Sequence, residues 1–167
     1  MPLTPFHLGP AVLLGSLATR RLDLPALCLG SVVIDVRAVL VIFGPLEPPI
    51  HGPLTTLPGG AGVAAAVTIA VLAGYELAGP SIERCGLDVR WSRSSVVAGA
   101  LVGAWSHVVL DAMLYADARP LAPLAGNPLL GLLSPTVVYA GCVLAGGVGI
   151  GLYWLHSARG EIGRAHV

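Results

Sequence analysis

Four long stretches, poor in charge and close to the length of a bilayer crossing, dominate this chain and limit what it can fold into. They are Leu24 to Phe43, Gly59 to Ala78, a run from near Ser94 that carries His107 and Asp111 toward its far end, and Thr136 to Leu155. Each approaches the roughly 20 residues that cross a membrane as a helix. A shorter run, Leu8 to Ala18, fits a re-entrant half-helix, an interfacial helix or a span completed by tilting. Backbone polar groups in lipid must be satisfied within their own segment, so these runs are expected to be helical. The expected fold is all-α: a polytopic transmembrane bundle of about four to five membrane helices, forming one domain over residues 1–160.

Composition supports this. Only 11% of the 167 residues are charged and 55% are hydrophobic, with a mean hydropathy of +0.83. A soluble domain carries roughly 25% charged residues, so part of this chain's surface must face lipid, and the bilayer is its expected partner. The net charge is zero, with no basic cluster, which argues against nucleic acid as a partner. Every basic residue is an arginine, and with the excess of Ala, Gly and Val this suggests a GC-rich genome. Cys28, Cys85 and Cys142 stand singly without paired spacing and read as small core residues.

The chain's end is set apart from the fold. Residues Glu161 to Val167 read like the translation of a common short-read sequencing adapter, so His166 and Arg164 are given no role. No secretory signal peptide is read at the start, because Met1 to His7 has no basic stretch and no small-residue cleavage site follows. Asp23 can cap the second run, and Pro25 suits its first turn. Arginines favour alternate connections: Arg20 and Arg21, then Arg84, Arg90 and Arg93, then Arg159. If all five runs span, the positive-inside rule places these in the cytoplasm. His7, the His51 loop and the far end of the fourth run then share the opposite side.

His107 and Asp111, four residues apart on an apolar helix, project from one face one turn apart. An imidazole and a carboxylate buried there are costly unless paired. A divalent metal suits both, with zinc or its neighbours the natural choice for nitrogen and oxygen donors. Asp35 lies within the second run, where it either ties the bundle together or belongs to a site. Arg37, two residues on, points to another helical face and is not its obvious partner. His51 follows Pro48-Pro49-Ile50 in a Pro/Gly-rich loop and reads as a surface residue or a ligand. His7, after Thr4-Pro5-Phe6, reads as a capping, interfacial or ligand residue. His156, Glu76, Trp91, Tyr153 and Trp154 read as interfacial.

Taken in order, Thr-Pro-Phe-His-Leu-Gly-Pro, Gly-Ser-Val-Val-Ile-Asp, His-Gly-Pro-Leu-Thr-Thr and Ser-His-Val-Val-Leu-Asp resemble the motifs of the membrane-bound metal-dependent hydrolases. These are small multi-pass proteins associated with the inner membranes of bacteria and archaea. The resemblance runs from about Met1 to Ser134. It implies a metal site drawn from helix ends and loops, with His7, Asp35, His51, His107 and Asp111 at the matching positions. The chain departs from that pattern twice. Thr55 stands where a second loop histidine is usual, and Arg37 where an acid is common, and both changes should weaken metal affinity.

The expected function is therefore that of a membrane-embedded metal-dependent hydrolase in a bacterial or archaeal cytoplasmic membrane. It would hold a divalent ion, zinc by preference, with Asp35 as general base in catalysis. Its substrate is an unknown small molecule, lipid-like or derived from the cell envelope. The rival readings are a non-enzymatic membrane scaffold with a degenerate metal site, favoured by Thr55 and Arg37, and an ion-coupled transporter. No internal repeat supports the transporter.

Overall fold

The computed structural model describes residues 5–84 and 92–159. Cys85, Arg90, Trp91 and the stretch 161–167 lie outside the described residues, so the readings made for them above are not developed further. The described residues are helical with no strand. Six helices follow in order: α1 (Pro5–Leu17), α2 (Leu24–Val33), α3 (Val36–Phe43), α4 (Leu57–Arg84), α5 (Arg93–Leu114) and α6 (Pro135–Ala158). A 3-10 turn, Pro53–Thr55, precedes α4. Four segments are long and apolar enough to cross a membrane: Leu24–Phe43, Leu57–Gly79, Arg93–Leu114 and Pro135–Ala158. The short run folds as a 13-residue helix that already contains His7.

Helix starts follow the local chemistry. Asp23 caps α2 by accepting a hydrogen bond from the Ala26 N–H at 2.9 Å, with proline in the first turn. Ser92 and Ser95 form a reciprocal capping box at the start of α5. Ser134 caps α6 just before Pro135.

The second span departs from the continuous helix that its apolar run implies. The ladder breaks at Ile34 and Asp35, separating α2 from α3. Here the Asp35 N–H turns to the Val32 carbonyl, three residues back, at 3.0 Å. That tighter bond leaves the Ser31 carbonyl without the partner a regular α-helix would give it.

α5 is the central and most buried span, packing against α2, α4 and α1. α2 and α5 run parallel in a repeating register. Gly99 lies against the backbone of Asp23, Gly103 against that of Leu27, and His107 against Ser31, one turn further on each time. A Cβ at Gly103 would run into the Leu27 carbonyl, and one at Gly30 into the Ala100 carbonyl. Small residues thus bring the two backbones together, as membrane helices require in the absence of a hydrophobic driving force between them. α4 lies antiparallel to α5, with Gly60 beside Val108 and Trp105, and Val63, Ala64, Val67 and Val71 contributing to the shared core. α6 packs mainly on α1 and keeps most of its apolar surface outward.

Candidate metal centre

Four parts of the chain converge at one end of the bundle: the first turn of α1, the α2–α3 break, the loop before α4, and the last turns of α5. Along α5 the face that reads Gly99, Gly103, His107, Asp111 continues its four-residue spacing from small to chemical residues. Because the glycines draw α2 close, the buried His107 ring reaches the Ser31 carbonyl freed by the helix break. Its Nδ1 donates to that oxygen at 2.6 Å. The bond fixes the tautomer, so Nε2 faces the site.

Two carboxylates converge on that nitrogen. Asp111 Oδ2 lies 3.0 Å from His107 Nε2, and Asp35 Oδ1 lies 3.3 Å from it. A bare ring nitrogen and two carboxylate oxygens repel one another, so the arrangement needs a proton or a metal ion among them. A proton on Nε2 can serve, and a metal ion can serve with a wider set of donors. His7 Nε2 stands 3.5 Å from Asp111 Oδ1, and His51 Nε2 stands 3.6 Å from Asp111 Oδ2. The His7 and His107 rings stack with centroids 3.8 Å apart. His7 Nδ1 is buried with no hydrogen-bond partner among the described residues.

The donor spacings test whether a metal fits. Ligand atoms 2.0–2.1 Å from a tetrahedral ion stand about 3.3 Å from one another. The separations around Asp111 and His107, from 3.0 to 3.6 Å, bracket that value, and the shortest of them is also of hydrogen-bond length. His7, His107 and Asp111 each offer a ligand atom within 4.8 Å of the other two, and all three residues are buried. This group could hold a metal ion. Exposure increases toward one edge: side-chain accessibility is 0% for His107 and 4% for Asp111, but 10% for His51 and 17% for Asp35. The open edge is therefore where α3 and the His51 loop meet.

All five residues singled out from the sequence, His7, Asp35, His51, His107 and Asp111, are brought together here. Thr55 is buried, and its hydroxyl donates back to the Gly52 carbonyl at 2.9 Å, stabilising the 3-10 turn. Arg37 directs its guanidinium to the loop, donating to the carbonyls of Glu47 and Pro49 at 3.3 and 3.1 Å. Gly52 lies so close to this guanidinium that a Cβ would meet it. Arg37 is thus a brace for the segment that presents His51.

Asp117 was not foreseen. Its Oδ1 lies 2.8 Å from His51 Nδ1, and its Oδ2 accepts from the His51 backbone N–H at 3.2 Å. Burial alone would raise the Asp117 carboxyl, but these bonds from His51 outweigh it and hold the group below its ordinary value of 3.8. The signal available in sequence was slight: an acid six residues past Asp111, in a loop where acids are common. Tyr115 stacks on the His51 ring with centroids 4.3 Å apart. The loop carrying Asp117 is anchored to the end of α5. Asn127 donates to the Ala112 and Tyr115 carbonyls, and Gly131 donates to Met113 from the left-handed conformation that favours glycine.

In comparisons with known proteins, the chain matches no family model, no curated protein and no solved structure, so the reading of this centre rests on its own geometry.

Proposed function

We propose that the chain is a membrane-embedded metal-dependent hydrolase of a bacterial or archaeal cytoplasmic membrane. The observation that supports this most is the buried group of His7, His107 and Asp111, whose ligand atoms lie within 4.8 Å of one another, with Asp35 and His51 at its more open edge. His7, His107 and Asp111 would hold a divalent cation, with zinc the best match to mixed nitrogen and oxygen donors. When bound, such an ion supplies Lewis acidity and lowers the pKa of a bound water from about 15.7 toward about 7.

The chain's own residues would do the rest. Ser31, through its carbonyl, keeps His107 in the tautomer that offers Nε2. Asp35 belongs to the more open edge and is the carboxylate best placed to take the proton released when water attacks. α3, which starts next to Asp35, exposes Val36, Val39, Leu40 and Phe43. An amphiphilic ester or phosphoester could lie with its apolar part along α3 and its scissile group at this edge.

The test is metal analysis of protein purified in detergent, paired with hydrolysis of ester and phosphoester amphiphiles. About one ion per chain, with metal-dependent turnover of one of these classes, is the expected result. Metal-free protein that stays folded and inactive after incubation with zinc would favour a scaffold instead.

A further inference from the structure

Resting on the metal-site reading above, we propose that His51 joins His7, His107 and Asp111 as a ligand of the centre and that Asp117 is the residue that positions it. His51 comes from a Pro- and Gly-rich loop, outside any helix, so nothing in its own segment fixes its ring. Three contacts replace that missing order. Asp117 takes hold of the histidine at two points, the backbone N–H and ring Nδ1. Tyr115 covers one ring face. Arg37 ties down the approach to His51 through the Glu47 and Pro49 carbonyls.

The consequence is chemical as well as geometric. With Nδ1–H donating to Asp117, the opposite nitrogen carries the lone pair, and that nitrogen faces Asp111 Oδ2 at 3.6 Å. A carboxylate on the far nitrogen raises the basicity of the near one and fixes the ring's direction. His107 obtains the same service from the Ser31 carbonyl. Each of these two imidazoles thus has an outer acceptor, one from a helix break and one from a loop aspartate. Asp117 thereby secures the loop's single imidazole, His51, in a chain that has Thr55 where a second could stand.

The experiment uses the full-length protein in detergent and cobalt(II), with affinity read by chelator competition and coordination by visible absorption. Loss of such an outer partner typically weakens metal binding 10- to 100-fold. Asp117→Ala and His51→Ala should each weaken cobalt binding by about that factor and give the same altered spectrum. The double variant should bind no more weakly than His51→Ala alone, because Asp117 acts through His51. Asp117→Glu should recover part of the loss. Wild-type affinity in Asp117→Ala, or losses that multiply in the double variant, would overturn the proposal.

Failure of the metal reading is a separate result: wild-type protein that binds no cobalt. Nitrogen NMR of the His51 ring then decides the arrangement by itself. Protonation at Nδ1 in the wild type, lost in Asp117→Ala, supports the positioning contact. Protonation at Nε2 instead refutes it.

Discussion

The α2–α5 and α1–α6 pairs are built alike and put to different use. Both run parallel, and both are drawn together by glycines. Gly30, Gly99 and Gly103 let α2 and α5 touch backbone to backbone, while Gly9 and Gly149 do so between α1 and α6. Each pair also carries one long-range bond from a side chain to a carbonyl. In α1–α6 the Ser16 hydroxyl donates to the Gly149 carbonyl at 2.9 Å. In α2–α5 the donor is His107 and the acceptor is Ser31. The serine spends its hydrogen bond on packing alone. The imidazole has a second nitrogen left over, and that nitrogen faces two carboxylates. Close packing brings helices together, and the residue type at the next turn decides whether chemistry follows.

The largest break in this comparison should come from Gly103→Val. Over-packing costs about 1–3 kcal/mol and occasionally more, and here the obstacle is the Leu27 backbone and not a side chain that can move aside. Thermal melts in detergent should show a collapse of stability with loss of bound metal. Gly149→Val applies the same insult to α1–α6, against the backbone of Leu13, and should lower stability while retaining more metal. Equal metal loss in both would mean that the two pairs form one cooperative unit.

His107→Ala removes a group that touches Ser31, Asp35 and Asp111 together. Metal content by elemental analysis should fall to background. Retention of wild-type metal would move the centre away from α5.

Asp35→Asn sharpens the contrast between packing and chemistry at one position. As part of the site, Asp35 gives up charge and proton affinity on this change while its volume is kept. Any hydrolytic activity or metal content should then fall by orders of magnitude with little change in melting. As a packing residue it would instead cost about 1–3 kcal/mol, the scale of one disturbed buried polar contact, and leave metal unchanged.

Ser16→Ala is the smallest change. Losing one hydrogen bond should cost about 1 kcal/mol and leave metal content as in the wild type. A metal defect would show that α1 positions His7 through its contact with α6.

The spans, the Asp23 cap and the His107–Asp111 pairing were legible because each depends on residues close in sequence. Continuous apolar runs of bilayer length carry the spans, and a four-residue spacing carries the pair. The gathering of His7, Asp35, His51, His107 and Asp111 was suggested by a resemblance and, for His7, His51 and the end of α5, by the alternation of arginines between connections; it could not be read from spacing. The break at Ile34 and Asp35 was hidden because the flanking run contains neither Gly nor Pro at that point. Apolar side chains there obey lipid exposure whether or not the ladder is continuous. Asp117 escaped because its partner is 66 residues away and a single acid in a connecting loop carries no spacing signal. Arg37 stands where an acid is common, but its hydrogen bonds are to loop carbonyls, a role that depends on how the loop folds back and that no local pattern reveals.

The shared contact between Ser31 and His107 also sets an order of events during biosynthesis. The two residues are 76 positions apart, so at about 5–20 residues per second roughly 4–15 seconds separate their emergence from the ribosome. Throughout that interval Ser31 and Asp35 are without the His107 that both contact in the finished fold. The contacts at the α2–α3 break are thus completed late, by sequence made well after the break itself.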